Sequence, residues 1–154
     1  MGQVIINNYQ EFESFLGKEI GVSEYIKIEQ EMVNQFADAT KDYQWIHIDQ
    51  KRAAVESPFK KTIAHGYLAV SLVPHLWNQI AHFNNIKMLI NYGIEKLKFN
   101  QPVIVDSEVR LKVKLAGLTN LRGIAKAELD AELEIKGNNK PAFMATVVLL
   151  YHFN

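Results

Sequence analysis

The sequence predicts an α+β fold in which an antiparallel sheet wraps around a long buried helix. Three observations carry that prediction. Two stretches in the C-terminal half, residues 108–115 and 125–135, alternate apolar and polar side chains with a period of two. Residues 62–83 are apolar on more than one helical face, the pattern of a helix enclosed by other structure. The 154 residues contain no Pro/Gly/Ser-rich linker and no repeat. A chain of that length buries roughly two-thirds of its unfolded surface, so residues 1–154 read as one domain.

The elements follow in chain order. Residues 9–15 suit a short helix, and residues 24–28 alternate like a short strand. Residues 30–40 carry a helical stripe of Met32, Val33, Phe36, Ala37 and Thr40. Residues 42–50 are polar and aromatic without a clear period. Residues 50–55 suit one more helical turn, and Ser57-Pro58-Phe59 with Lys60-Lys61 reads as loop. The two lysines could meet a phosphate, although a solvated charge pair is the simpler reading. Within residues 62–83, Ile63, Leu68, Val70, Leu72, Val73, Leu76, Trp77 and Ile80 crowd the helix. Pro74 is expected to kink it, since an interior proline removes a backbone bond at a cost of about 3 kcal/mol.

Strands follow. Residues 94–99 supply one, stopped by Asn100-Gln101-Pro102. In the next, Val109, Leu111, Val113 and Leu115 face one way, and Arg110, Lys112 and Lys114 the other. In its successor, Ala127, Leu129, Ala131, Leu133 and Ile135 face inward, and Glu128, Asp130, Glu132 and Glu134 outward. A basic outer face beside an acidic one suits antiparallel neighbours, each opposite-charge pair contributing about 0.2–1 kcal/mol. Turns are expected at residues 117–120 and 137–139. The last run, residues 142–153, is apolar on both faces like a central strand. A sheet that is hydrophobic on one face needs a cover, which the buried helix provides. A curved sheet around a central helix is the hotdog architecture. Exposed sheet edges in such a fold invite pairing with another copy, so a homodimer is expected.

Composition excludes several function classes. Seventeen Lys and Arg balance seventeen Asp and Glu, which argues against charge-driven nucleic-acid or membrane binding. There are no cysteines, hence no disulfide framework, thiolate metal site or Cys nucleophile. No apolar run approaches the roughly 20 residues of a membrane span. The first fifteen residues lack the basic and apolar regions of a signal peptide, so a cytoplasmic protein is expected.

Asp42 and His47 are the first candidates for chemistry. A carboxylate and an imidazole meeting at one point can hold a water and move protons to and from it near neutral pH. Asp42 could equally cap a turn, and His47 could sit half-buried against a backbone partner. Ala64-His65-Gly66 opens the apolar helix. A helix start offers unpaired N–H groups, and Gly66 lets a ligand approach closely, as an oxyanion hole requires. Close packing of helix on sheet would also explain that glycine. His47, Asp49, His65, His75 and His82 do not form the paired i, i+4 spacing of a helical zinc site. No metal or other cofactor is expected. Trp45 and Trp77 read as packing residues.

These residues together resemble the MaoC-like hydratases. The resemblance rests on Phe36-Ala37-Asp38-Ala39-Thr40-Lys41-Asp42-Tyr43-Gln44-Trp45-Ile46-His47-Ile48-Asp49, then Ser57-Pro58-Phe59 and Thr62-Ile63-Ala64-His65-Gly66-Tyr67-Leu68. Gln44-Trp45, Asn91-Tyr92-Gly93 and Phe99-Asn100-Gln101-Pro102-Val103 look most like the nodulation-protein-N-like branch. The resemblance spans roughly residues 10 to 152. It implies a dimeric hotdog protein that adds water reversibly to a trans-2-enoyl-CoA or a related acyl-carrier-protein thioester, giving the (R)-3-hydroxyacyl thioester. It also implies that Asp42 and His47 activate the water and that the Gly66 N–H polarises the thioester carbonyl. Gln44, Trp45, Ala64 and His65 are implied at the substrate. Many active members of the family read Asp-x-Asn-Pro-x-His. Here Gln44, with a longer reach, and the bulkier Trp45 stand in place of Asn and Pro, which bears on chain-length preference.

Two other functions fit the same fold. One is a non-catalytic acyl-thioester-binding protein, and the other is a hotdog thioesterase. Retention of Asp42, His47 and Gly66 together favours the enzyme, and the product separates hydration from thioester hydrolysis.

Overall fold

The computed structural model describes residues 2–154. Strand β1 (Val4–Ile6) leads into α1 (Tyr9–Glu13), where the Asn8 side chain accepts from the Glu11 N–H at 2.9 Å and the Glu11 carboxylate accepts from the Asn7 N–H at 2.8 Å. This reciprocal cap satisfies donors that a helix start leaves open. Two short strands follow, β2 (Glu19–Val22) and β3 (Ile26–Lys27). Helix α2 (Gln30–Thr40) buries Val33 and Ala37 and ends at Lys41. The backbone of Lys41 is left-handed, with φ 67°, and its N–H donates to the Ala37 carbonyl at 2.8 Å. One-turn helix α3 (Trp45–Ile48) and α4 (Gln50–Glu56) come next, the latter capped by Asp49, which accepts from the Arg52 N–H at 2.9 Å.

The apolar run is two helices rather than one kinked helix. Helix α5 (Gly66–Ser71) ends at Leu72, and α6 (Val73–Ile80) begins immediately after it. Pro74 therefore sits in the first turn of α6, where its missing N–H would have no partner in any case. Residues 81–83 leave the helix altogether as β4 (Ala81–Phe83), which pairs in parallel with β1.

Four long strands complete the chain: β5 (Ile86–Phe99), β6 (Glu108–Leu121), β7 (Ile124–Ile135) and β8 (Phe143–Phe153). The sheet order is β2-β6-β7-β8-β5, all antiparallel, with β3 also on β6. The opposite-charge faces meet as expected: Arg110 opposes Glu134, Lys112 opposes Glu132, and Lys114 opposes Asp130. Arg110 and Glu134 touch at 2.6 Å, and Lys112 and Glu132 at 3.4 Å.

The turn expected at residues 117–120 does not form there. Strand β6 runs on to Leu121, with a bulge between Leu115 and Gly117, and reverses at Arg122-Gly123. Those two residues have φ 54° and 94°, the positive values that a two-residue hairpin matching the strand twist demands. The turn at residues 137–139 is present, with Gly137 at φ 78°.

One face of the sheet packs on α5 and α6, which are not enclosed on every side as expected but leave Tyr67, Ser71, Pro74, His75 and Asn78 exposed. Leu76, Trp77 and Ile80 join Leu111, Leu115, Leu129, Leu133 and Phe12 in one buried cluster. The Trp77 indole N–H, inside that cluster, donates to the Tyr151 hydroxyl at 2.7 Å. Among the described residues no helix is long and apolar enough to cross a membrane.

Candidate active site

Four segments meet beside the start of α5. The first is the exit from α2. The left-handed turn at Lys41 reverses the chain and leaves Asp42 just past the helix end. Its side chain is half-exposed, and Oδ1 accepts from the Gln44 N–H at 3.4 Å. The second segment is α3, which turns His47 inward until 8% of it remains exposed. The third, residues 62–65, precedes α5 and is bonded to α3 by the Ile63 N–H, which donates to the Ile46 carbonyl at 3.1 Å.

The contacts settle which tautomer the neutral His47 ring adopts. Its Nδ1 lies 2.7 Å from the Ile63 carbonyl oxygen, which can only accept. Nδ1 therefore carries the proton, and Nε2 of the neutral ring is a bare acceptor. Burial holds the imidazole below its ordinary pKa, against the carbonyl bond, while neighbouring His65 lowers it further and Asp42 raises it.

His65 is 3% exposed and stacks on His47, with ring centroids 3.9 Å apart at 26°. Its Nε2 donates to the Asp42 backbone carbonyl at 3.1 Å and lies 4.0 Å from the Asp42 carboxylate. Its Nδ1 is buried without a hydrogen-bond partner among the described residues. The two histidines thus fasten α3 and the α2 exit to the entry of α5. Ligand-type atoms of Asp42, His47 and His65 lie within 4.8 Å of one another. Nearly parallel stacked rings do not aim their nitrogens at one point, so a cation here would require the rings to turn.

Gly66 is the first residue of α5, and the first N–H groups of a helix have no partner within it. A Cβ at this position would stand 3.0 Å from the ring of Phe99. The glycine therefore keeps the backbone open at the point where Phe99 closes over it.

A cleft of about 550 Å³ joins these groups. Its walls include Asp42, His47, Ala64, His65 and Gly66, five of the residues expected from sequence. Gln44 and Trp45 are not among its lining. Gln44 stands at the N-terminus of α3, and Trp45 is half-buried with the Arg52 guanidinium 4.3 Å above its ring. The fourth segment, residues 99–103, supplies walls that single-residue reasoning missed, Phe99, Asn100, Gln101, Pro102 and Val103, and α5 adds Tyr67. The Asn-Gln-Pro run carried a strand-stop signal, and nothing in local periodicity ties it to a helix more than thirty residues earlier.

Comparison with known proteins identifies the family. Residues 11–136 match the family model described as MaoC like domain. The chain is 43% identical over 136 residues to 3-hydroxyacyl-thioester dehydratase Z of Mycobacterium tuberculosis, covering 88% of this chain and 89% of that protein. It is 39% identical over 143 residues to nodulation protein N of Rhizobium meliloti, covering 92% and 89%. The solved (R)-hydratase from A. caviae involved in PHA biosynthesis superposes with a TM-score of 0.70 at 26% identity, covering 87% of this chain and 94% of that one.

Proposed function

The chain belongs to the MaoC-like family and is a hydro-lyase of the hydratase and dehydratase kind, and from that premise we propose that it adds water reversibly to a trans-2-enoyl thioester. The product is the (R)-3-hydroxyacyl thioester, on coenzyme A or on an acyl-carrier protein. The observation that supports this reading most is that Asp42, His47 and Gly66 line one cleft, Gly66 at the start of α5 where a helix leaves its first N–H groups open.

In the forward direction a water sits between Asp42 and His47. One of its protons leaves through Nε2 of His47 as its oxygen bonds to the β-carbon. The electron pair of the double bond moves to the thioester oxygen, where the Gly66 N–H meets charge that exists mainly in the transition state. The electron pair then returns from that oxygen to the α-carbon, which takes the proton back from Nε2 of His47, so H and OH have been added overall, the imidazole is neutral again and nothing has been oxidised. Ala64 and His65 form the wall against the acyl group. Gln44 and Trp45 act on acyl preference through the loop that carries His47. No cofactor takes part.

Residues 1–154 work as one domain in this reading, and two copies pair. Strand β5 ends the sheet order, so one of its edges has no partner strand among the described residues. It exposes Met88, Leu89, Tyr92 and Ile94, which a second copy would cover.

The test is incubation with crotonyl-CoA and a panel of longer enoyl-CoAs, following enoyl absorbance and free thiol together. Loss of absorbance without thiol, abolished in Asp42→Asn, is expected. Thiol release would instead indicate a thioesterase. No turnover of any panel member would indicate a binding protein.

A further inference from the structure

We propose that Gln30 is a positioning residue for His47, one carboxamide that fixes where the imidazole stands by tying three segments of the site together. The inference rests on the reading of His47 as the proton acceptor.

Gln30 opens α2, twelve residues before Asp42. Its Nε2 donates to the His47 backbone carbonyl at 2.8 Å and to Asn34 Oδ1 at 2.9 Å, and its Oε1 accepts from the Thr62 hydroxyl. The amide orientation is forced by chemistry. Turned the other way, its oxygen would face the His47 carbonyl oxygen, and two acceptors cannot bond. Both donors and the acceptor are thereby used. Thr62 is 1% exposed, so water offers its hydroxyl no alternative partner.

The placement goes beyond capping. Helix α3 is a single turn, and the last carbonyls of any helix lack partners inside it. A solvent molecule could satisfy most of them. Gln30 instead takes the carbonyl of the residue whose ring is at work, and joins it to Thr62. The next residue, Ile63, accepts from Nδ1 of the same His47 at 2.7 Å and donates its N–H to the Ile46 carbonyl at 3.1 Å. His47 is thus held at its backbone through Gln30 and at its ring through Ile63, and the two holds meet at adjacent residues. The Thr62 carbonyl in turn accepts from the Val105 N–H at 3.0 Å, and Ala64 donates to the Val103 carbonyl at 2.8 Å. The imidazole is therefore referenced to the loop between β5 and β6 rather than to the short helix that carries it. Displacement of a catalytic group by about 1 Å can cost on the order of a hundredfold in rate.

The test uses Gln30→Glu, Gln30→Ala, Thr62→Val and Thr62→Ser in the full chain. Gln30→Glu keeps the shape and the acceptor for Thr62 but turns a donor into an acceptor against the His47 carbonyl. Each is assayed for kcat and KM on an enoyl-CoA the parent turns over, and the His47 ring is titrated by NMR. That ring faces Asp42, His65 and the Ile63 carbonyl. Gln30→Glu and Gln30→Ala are expected to lower kcat about tenfold or more, with KM within about twofold, as for a group lost from transition-state alignment. In both, the His47 titration is expected to move towards its ordinary value as the ring gains water. Thr62→Val should follow them in part, and Thr62→Ser, which keeps the hydroxyl, should restore parent behaviour.

A kcat within twofold of the parent and an unmoved His47 titration in Gln30→Glu would overturn the proposal. So would a lowered melting temperature with kcat and titration unchanged, which would make Gln30 purely structural. If Gln30→Ala fails to fold, Gln30→Glu and Thr62→Val carry the test. Failure of the underlying reading is separate, because His47→Ala would then retain turnover, while the NMR titration reports the ring's placement whatever the activity.

Discussion

In the proposed reaction His47 works as a neutral ring, and burial favours that form. Burial pushes its pKa below the ordinary value of about 6.5, and the Ile63 carbonyl leaves Nε2 free to accept. Two pH effects follow. Hydration should slow as the pH falls through that depressed value, because protonated Nε2 cannot take a proton from water. Stability should fall in the same direction. Between the depressed value and about 6.5 the unfolded chain binds more protons than the folded one, so the contribution is complete above 6.5 and lost on acidification. Melting temperature measured against pH should show this slope in the parent and lose it in His47→Gln. Gly66 makes a second case. Its missing Cβ leaves room for the Phe99 ring, which would otherwise lie 3.0 Å away. Gly66→Ala should therefore lower kcat about tenfold or more by forcing the ring or the backbone aside, with little change in melting temperature since Phe99 is half-exposed. If the obstruction is steric, Phe99→Ala in the same chain should recover part of the loss, a coupling that a double-mutant cycle measures.

At the scale of elements, legibility depended on periodicity. Strands β6 and β7 were readable because each buries one face, so Leu111, Leu133 and their neighbours recur every second residue. The first half of β5 was not readable. Met88, Leu89 and Tyr92 are exposed on a strand with water on much of both faces, which leaves no alternation to see. The break at Leu72 was hidden for another reason: apolar residues continue straight through it into Val73, while the exposed face that both helices keep, at Tyr67, Ser71, Pro74, His75 and Asn78, is interrupted by too few polar residues to be read. Pro74 signalled a disturbance, but its place in the first turn of α6 shows that it starts a helix rather than bending one. Pro74→Ala should accordingly change stability by less than about 1 kcal/mol, where an interior kink would have involved about 3 kcal/mol. Thermal or denaturant unfolding checks this. In the site, the five-residue spacing of Asp42 and His47 and the Ala-His-Gly run were visible in the sequence. The stacking of His65 on His47 and the reach of Gln30 to Thr62 were not, because they join residues 18 and 32 apart, the second across a turn at Lys41 that has no hydrophobic signal.

For the whole molecule, the open edge of β5 and the cleft are linked, because Phe99 ends that strand and closes over Gly66. The two-copy assembly proposed from this edge should sediment at twice the chain's 17.6 kDa. Charge placed on the exposed apolar positions, as in Tyr92→Lys with Ile94→Lys, should shift it towards the single chain. A parent chain that sediments singly would rule the assembly out. The central claim concerns chemistry, namely that Asp42 and His47 activate a water for addition to an enoyl thioester. Turnover of a panel of enoyl-CoAs by the parent, Asp42→Asn and His47→Ala, with product identified as 3-hydroxyacyl thioester, tests it most directly. The expected result is (R)-3-hydroxyacyl product from the parent and a loss of at least about a thousandfold in each variant, with melting temperatures little changed. Near-parental turnover in both folded variants would contradict it.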